Sequence, residues 1–213
     1  LHGVEVDPTT LAAHPAFDAQ SRAIRCDTVK WATAAERSVG AARRTCIRSG
    51  VGRRGVLVTG ATGRLGRALV SLLSEGTARP LVVVARRSGD RTWPPGVRWL
   101  SLDVGAFDAD EVASACDDVG EIVHLAAEVS GGVSGEVLTR TNVLGTRNVI
   151  DLAARLGARL HHVSTLSVFT HAAGVPSRID ERTPPPDVGL LDSPYAQSKL
   201  LGERAVLDDG EIE

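Results

Sequence analysis

Tyr195 and Lys199 are the residues whose types and spacing most directly suggest chemistry. Tyr195 is the only tyrosine among 213 residues, and Lys199 is one of two lysines, the other being Lys30. On a helix, residues four apart lie on one face, a turn from each other. A phenol has a pKa of about 10 that a nearby cation lowers, so the pair could protonate a carbonyl oxygen during reduction. Taken alone, the pair is better explained as an aromatic ring packed against a lysine stem.

A glycine-rich stretch upstream could hold phosphate groups. The sequence TGATGRLG places Gly60, Gly63 and Gly66 between a short apolar run and a segment of helical periodicity. Such glycines permit a sharp turn, close approach of a dinucleotide pyrophosphate and tight packing of helix on strand, while the helix N-terminus offers free N–H groups. The first gap is one residue longer than in the standard fingerprint, and a tight turn without ligand is the alternative. The predicted cofactor contacts here are Gly60, Thr62, Gly63, Arg64, Leu65 and Gly66.

Two arginines after the second apolar run bear on the choice of cofactor. At this position an acid would hold the ribose hydroxyls of NAD, whereas an arginine suits the 2′-phosphate of NADP. Arg86 and Arg87 follow the run here, and the nearest acid, Asp90, lies beyond them. The sequence therefore favours NADP, with NAD as the alternative, although two solvated arginines would explain the same residues.

These residues require a scaffold of alternating strands and helices. The β-branched apolar runs that predict strands, the last with its exit loop, are 55–60, 80–87, 97–104, 121–127 and 159–169. The segments that predict helices are 64–76, 108–116, 136–157 and 194–207. This alternation predicts an α/β fold, a doubly wound Rossmann-type parallel sheet with helices on both faces. Residues 53–213 would form this NAD(P)-binding domain, incomplete at its C-terminus.

Residues 1–52 differ in composition from the rest of the chain. From Arg22 to Arg54 there are nine basic residues and two acidic ones. The stretch from Lys30 to Gly50 could form one helix rich in alanine and arginine. A docking or anion-binding arm would use this charge, but a solvated helix or a linker is the reading we favour.

The overall composition argues against several other classes of function. A net charge of -2 gives no reason to expect nucleic acid or an anionic membrane as partner, and no apolar run is long enough to span a bilayer. Cys26, Cys46 and Cys116 show neither metal-ligand spacing nor a disulfide framework. His161 and His162 would face opposite sides of a strand, so no metal site is expected. With no signal peptide, a cytoplasmic location is the default, and the absence of methionine suggests a piece of a longer protein or a truncated reading frame.

Four motifs, in this order, resemble the extended short-chain dehydrogenase/reductase family. They are TGATGRLG at 59–66, HLAA at 124–127, STLSVF at 164–169 and YAQSK at 195–199, and TNVLGTRNV at 141–149 fits the helix after the fourth strand. The resemblance covers residues 54 to about 207. The segments NVLGT, HHVSTLSV and YAQSK most resemble those of the thioester-reductase branch. Only 20 residues separate Asp103 from His124, where that branch usually carries a longer insertion.

The resemblance implies a catalytic role for three residues. Tyr195 would donate the proton, and Lys199 would lower its pKa and hold the nicotinamide ribose. Thr165 would orient the substrate oxygen, with Ser164 as the fallback; either hydroxyl could instead merely cap the strand end.

The resemblance also implies a set of supporting and cofactor-binding residues. Asn142 would support the site through a backbone or water contact. His124 would be a strand-end residue beside the cofactor rather than a base. The remaining implied cofactor contacts are Asp103 and Val104 at the adenine, and Leu125, Ala126 and Ala127 after the fourth strand.

The activity that the resemblance implies is NADPH-dependent reduction of a carbonyl or a carrier-bound thioester. Nucleotide-sugar epimerases or dehydratases and hydroxysteroid-type dehydrogenases share the scaffold, so these alternatives stay open. A dinucleotide-binding regulator is disfavoured because such proteins commonly lose the tyrosine and lysine. An inactive fragment stays open, because the family continues past the Tyr–Lys helix into a C-terminal substrate region that we expect to be missing. The expected partner is a small-molecule or carrier-bound carbonyl substrate; a homodimer or a place in a multidomain chain is left open.

Overall fold

A six-stranded sheet forms the centre of the structure. The computed structural model describes residues 31–32, 54–86, 93–130, 132–170, 178–180 and 183–208. The strands are β1 (Trp31–Ala32), β2 (Gly55–Thr59), β3 (Leu81–Ala85), β4 (Val97–Ser101), β5 (Val119–His124) and β6 (Arg159–Val163). Their order across the sheet is β1-β6-β5-β2-β3-β4, with β2 to β6 parallel and β1 antiparallel to β6. The five parallel strands have the order of a doubly wound dinucleotide-binding sheet, so the predicted fold class is confirmed.

Helices cover both faces of this sheet. They are α1 (Arg64–Gly76), α2 (Ala109–Ala115), α3 (Gly135–Leu138), α4 (Gly145–Leu156), α5 (Ser167–Thr170) and α6 (Pro194–Asp208). Val56 and Val58 of β2 pack with α1, whereas Leu57 between them packs in a second cluster with residues of α2, α4 and α6. Because successive strand residues point to opposite faces, a central strand covered on both sides must be apolar throughout. This explains the continuous runs GVLVT and LVVVA, in which every residue is buried.

The predicted helix over 136–157 contains a change of helical geometry. Between α3 and α4, Thr139–Leu144 forms a π-helical segment, with Asn142 and Val143 buried. Gly157 ends α4 in the left-handed conformation, with φ 57°, as expected of a C-terminal glycine. Single π-turns inside helices often mark functional sites, and this one carries Asn142.

Two sequence predictions of secondary structure were wrong in part. The last predicted strand ends at Val163, and Ser167–Thr170 of its expected exit loop is the short helix α5. The helix expected from Lys30 begins instead with strand β1, and the rest of it lies outside the described residues. In the part of the chain that the structure describes, no helix is long and apolar enough to cross a membrane.

Candidate active site

The three glycines pack where β2 turns into α1. Gly60 has a φ of 67°, in the region that favours glycine, and a Cβ there would lie 2.6 Å from the Ala126 nitrogen. A Cβ on Gly66 would collide with the Gly60 carbonyl oxygen and lie 2.7 Å from the Ala61 Cα. Both glycines are therefore required by close backbone contacts. These contacts also bring Leu125 and Ala126, which follow β5 and precede Ala127, beside the turn.

The N-terminus of α1 fits an anionic group. Gly63 caps the helix without any side-chain hydrogen bond, and the first turn has no acidic residue. A Cβ on Gly63 would meet only the Gly60 oxygen, at 3.2 Å, and Gly63, Arg64 and Leu65 are exposed. The first N–H groups of a helix have no partner within it, so here they are open to a pyrophosphate. The predicted pyrophosphate-binding residues, Gly60 and residues 62–66, thus lie together at the N-terminal end of α1, and we call them the cradle. Thr62 among them is half-buried.

A buried histidine links the cradle to the helix beyond β5. The Thr59 hydroxyl lies 2.7 Å from His124 Nδ1 and accepts hydrogen bonds from the N–H groups of Leu125 and Ala126, both at 3.2 Å. His124 Nε2 lies 3.1 Å from the Thr146 hydroxyl, which donates to the Asn142 carbonyl. Because the Thr146 hydroxyl proton is committed to the Asn142 carbonyl, Nε2 must donate to Thr146 Oγ1, and Nδ1 of the neutral ring then accepts from the Thr59 hydroxyl. His124 lies at the end of β5, as the sequence predicted, and its two hydrogen bonds link β2 to the helical run after β5.

Asn142 connects α6 to the residues that follow β5. Its Oδ1 accepts from the Glu128 N–H at 2.7 Å, and its Nδ2 donates to the Glu128 carbonyl at 3.0 Å and to Ser198 Oγ at 2.9 Å. The side chain is 1% exposed. Gly202 of α6 approaches the same segment so closely that a Cβ would lie 2.6 Å from the Asn142 oxygen. The side-chain amide therefore makes the backbone contact expected from the resemblance, to the N–H and carbonyl of Glu128, and a further contact to the Ser198 hydroxyl.

Lys199 anchors α6 to the end of β6. Its Nζ donates to the Val163 carbonyl at 2.8 Å, and the residue is 4% exposed. Pro194 is the first residue of α6, where a missing N–H is tolerated. Tyr195 follows it, half-buried, and its carbonyl accepts from Ser198 Oγ at 2.8 Å. The Lys199 contact thus holds α6 beside the strand end that leads into Thr165, and Tyr195 lies one turn earlier on the same helix.

The two hydroxyls after β6 have different partners. Ser164 Oγ donates to Glu203 Oε2 at 2.6 Å. Within the described residues, the Thr165 hydroxyl has hydrogen bonds only with Ser167, through its Oγ and its N–H, both at 3.3 Å. A contact of 3.3 Å is a weak hydrogen bond, so Thr165 can turn toward a substrate more easily than Ser164. This favours Thr165 over the fallback Ser164.

The predicted adenine contacts Asp103 and Val104 follow β4. The Asp103 carboxylate accepts from the Gly105 N–H at 3.0 Å and from Arg140 at 2.9 Å. Val104 is buried, and its carbonyl accepts from Asn148 at 2.9 Å. Both residues lie on the same edge of the sheet as the cradle, but the carboxylate is held by groups of the chain itself.

Arg86 lies exposed at the end of β3, and Arg87 lies outside the described residues. Hydrogen bonds from Ser130 lower the pKa of Glu128, and the charge of Arg86 lowers it further. Arg86 lies directly after β3, and its role toward a 2′-phosphate stays a prediction.

Burial sets the charge state of the groups around Lys199. It lowers the pKa of His124 to about 3 and that of His162 well below its usual value, with the Lys199 charge adding to both shifts. It also lowers the pKa of Lys199 to about 8, against the opposing influence of Glu203. At neutral pH the histidines are uncharged, and Lys199 is still largely protonated.

The two adjacent histidines of β6 have separate surroundings. The His162 ring lies 5.5 Å from that of His124, whereas His161 Nε2 lies 3.5 Å from Glu121 on the opposite face. No cluster of potential metal ligands occurs among the described residues. The side chains of His161 and His162 therefore lie on opposite faces of the sheet, as the sequence predicted.

The sequence profile of the NAD-dependent epimerase/dehydratase family matches residues 56–210. The chain belongs to this family. The family assignment agrees with the extended short-chain dehydrogenase/reductase resemblance of the four motifs and with the parallel sheet.

Similar proteins within and around this family carry out different reactions. The chain is 32% identical over 162 residues to 3 beta-hydroxysteroid dehydrogenase type 7 of Rattus norvegicus, covering 71% of this chain and 47% of the relative. It is 30% identical over 186 residues to glycine betaine reductase ATRR of Emericella nidulans, covering 73% of this chain and 14% of that protein. The crystal structure of the terminal R domain from the myxalamid PKS-NRPS biosynthetic pathway superposes with a TM-score of 0.65 at 28% identity, covering 76% of this chain and 47% of that one. The chain therefore spans about half the length of the hydroxysteroid dehydrogenase and a smaller share of the glycine betaine reductase.

The sequence analysis missed several buried polar residues. Thr59, Thr146 and Ser198 each make buried hydrogen bonds that connect the cradle to α6. Glu203 was missed as well, although its position four residues after Lys199 places it on the same helix face. That spacing was a signal that the sequence contained.

Proposed function

We propose that this protein is an NADPH-dependent reductase of a carbonyl or a carrier-bound thioester, using Thr165, Tyr195 and Lys199. The observation that carries the proposal is the hydrogen bond of 2.8 Å from Lys199 Nζ to the Val163 carbonyl. It fixes the helix of Tyr195 against the strand end that leads into Thr165. Hydride-transfer chemistry needs a proton donor, a cation and an orienting hydroxyl at one place.

The cradle residues support binding of a dinucleotide at the same edge of the sheet. The first turn of α1 would hold the pyrophosphate, because its N–H groups face solvent without a side-chain cap. Leu125, Ala126 and Ala127, which follow β5, would line the part of the dinucleotide next to the pyrophosphate. When bound, a reduced nicotinamide dinucleotide supplies the hydride.

Each of the three residues has a distinct part in the proposed reaction. The Tyr195 hydroxyl gives its proton to the carbonyl oxygen as negative charge develops there, and solvent later restores that proton. The Lys199 cation stabilises the phenolate that remains. The Thr165 hydroxyl donates a hydrogen bond that orients the carbonyl oxygen toward Tyr195.

The preference for NADPH rests on Arg86, because an arginine at the end of the second strand suits a 2′-phosphate. The thioester or carbonyl class rests on similarity to the glycine betaine reductase and to the terminal R domain. A cytoplasmic location, where reduced dinucleotides are available, is part of the proposal. Alcohol oxidation on a steroid-like substrate is the same chemistry in reverse, and similarity to the hydroxysteroid dehydrogenase keeps it as the second candidate.

The decisive variant is Tyr195→Phe, which removes one hydroxyl. Cofactor binding is measured by fluorescence titration on this chain, and turnover is measured on the protein as its gene encodes it. The substrates are an aldehyde, a pantetheine thioester and a hydroxysteroid with NADP⁺. We expect tighter binding of NADPH than of NADH, unchanged NADPH binding in the variant, and loss of turnover by about 100-fold or more.

The outcomes separate the parts of the proposal. Wild-type turnover in Tyr195→Phe would remove Tyr195 from the mechanism. A preference for NADH would overturn the assignment to Arg86. Turnover of the steroid alone would favour the second candidate.

A further inference from the structure

Glu203 lies on the catalytic helix in contact with the strand end that leads into Thr165. It follows Lys199 by four residues on α6, and both side chains are 4% exposed. Among the described residues, these two are the only buried lysine, arginine, aspartate or glutamate side chains; the other buried polar residues are threonine, histidine, asparagine and serine. A buried ammonium group is costly unless an anion accompanies it. Glu203 is the anion that the helix supplies.

Two successive turns of α6 hold two successive residues of the chain after β6. Lys199 Nζ donates to the Val163 carbonyl at 2.8 Å, and Ser164 Oγ donates to Glu203 Oε2 at 2.6 Å. A distance of 2.6 Å is typical of a hydroxyl donating to an ionised carboxylate. Thr165 is the next residue, so its position depends on this pair of contacts.

The other titratable groups around Lys199 cannot balance its charge. His162 on β6 and His124 on β5 are neutral, because burial and the Lys199 charge lower their pKa values. Glu203 alone raises the pKa of Lys199, opposing the burial that lowers it to about 8.

We propose that Glu203 is a positioning residue of the active site: its carboxylate keeps Lys199 protonated and, through Ser164, holds the strand end that carries Thr165. The inference rests on the proposed function, since Glu203 acts through residues assigned there. It adds a residue whose charge extends the working range of the Tyr195–Lys199 pair toward higher pH.

The test follows the titration of Lys199 directly. The chain has only two lysines, Lys30 and Lys199, so protein labelled with ¹³C at the lysine Cε gives two resonances that Lys199→Arg assigns. In Glu203→Gln the side chain keeps its size and its capacity to accept from Ser164 but loses its charge. We expect the Lys199 titration midpoint to fall by about one pH unit or more.

Two variants separate charge from hydrogen bonding and from general effects. Glu75→Gln on α1 is the matched control. Glu75 is an exposed helical glutamate that also accepts a hydrogen bond from a serine, Ser71 Oγ at 3.1 Å. In this variant the titration midpoint of Lys199 should equal the wild-type value. Ser164→Ala keeps the Glu203 charge but removes its hydrogen bond. It should leave the Lys199 midpoint near the wild-type value and lower kcat by up to about 100-fold.

An unchanged Lys199 midpoint in Glu203→Gln would overturn the inference. If Glu203→Gln does not fold, Glu203→Asp takes its place, because the shorter side chain moves the carboxylate away by one methylene. The Lys199 midpoint in this variant should lie between the wild-type value and the value expected for Glu203→Gln. A wild-type midpoint in Glu203→Asp would then overturn the inference. The readout does not depend on turnover. Full activity in Tyr195→Phe together with a lowered midpoint in Glu203→Gln would reject the proposed function and retain the Glu203–Lys199 coupling.

Discussion

At the scale of single residues, His124 makes stability depend on pH. Burial lowers its pKa from 6.5 to about 3 in the folded state, whereas the unfolded chain binds the proton near pH 6.5. Between these values the unfolded state holds more protons, so the free energy of unfolding decreases as the pH falls. The slope from this one group is at most about 1.4 kcal/mol per pH unit, and His162 adds to it in the same direction.

The variant His124→Gln tests this dependence. Glutamine keeps a donor near the Thr146 hydroxyl but does not titrate. We expect it to lose about 1–3 kcal/mol at pH 7, because buried partners are left less well satisfied. Urea unfolding between pH 7 and 4 should then show a shallower decrease than in the wild type. Parallel curves for the two proteins would show that His124 is not the titrating group.

The contrast between His124 and Glu203 shows which residues the sequence could predict. The HLAA motif placed His124 at a strand end, and this position was predicted correctly. Glu203 lies in a polar-looking stretch of α6, and its partner Ser164 is 39 residues away in the chain. Its burial follows from how α6 docks on β6, a long-range contact that local periodicity does not encode.

At the scale of elements, the close packing of α1 on β2 depends on Gly66. A Cβ at this position would meet backbone atoms of Gly60 and Ala61, which cannot rotate away. We expect Gly66→Ala to lower the free energy of unfolding by about 1–3 kcal/mol, as overpacking usually does. NADPH binding should weaken with it, because the N-terminus of α1 must move away from β2.

Gly76→Ala is the matched control for this prediction. Gly76 is the last residue of the same helix, and a Cβ there meets nothing within 4 Å. Since alanine favours helix over glycine by up to about 1 kcal/mol, this variant should be as stable as the wild type or slightly more so. Urea denaturation and NADPH titration of both variants provide the comparison. Equal stability of Gly66→Ala and Gly76→Ala would contradict the packing argument.

Elements with a strong local signal were predictable, whereas those set by contacts between helices were not. Strands β2 and β3 follow from their apolar runs, and α1 from its spacing and its glycines. The π-helical turn at Thr139–Leu144 did not appear in the sequence pattern, which reads as one helix. There Gly202 of α6 lies against the Asn142 carbonyl, a contact that depends on residues 60 positions apart.

At the scale of the whole molecule, a series of hydrogen bonds, most of them buried, connects the cradle to α6. It runs from Thr59 through His124, Thr146 and Asn142 to Ser198, whose hydroxyl donates to the Tyr195 carbonyl. This series of hydrogen bonds crosses from β2 to β5, then to the helical run after β5, and then to α6. Such a network can link cofactor binding to the position of Tyr195 without any direct contact between them.

A double-mutant cycle tests whether this connection is energetic. Asn142→Ala and Ser198→Ala remove the two sides of a buried contact of 2.9 Å, so their losses of unfolding free energy should be non-additive by about 0.5–3 kcal/mol. Asn148→Ala is the matched control, because this asparagine, at the start of α4, bonds instead to the Val104 carbonyl. Combined with Ser198→Ala, it should be additive within about 0.5 kcal/mol. Urea denaturation of the single and double variants measures both cycles. Additivity in the first cycle would mean that Asn142 holds the end of β5 alone, and that α6 is positioned by Lys199 and Gly202 instead.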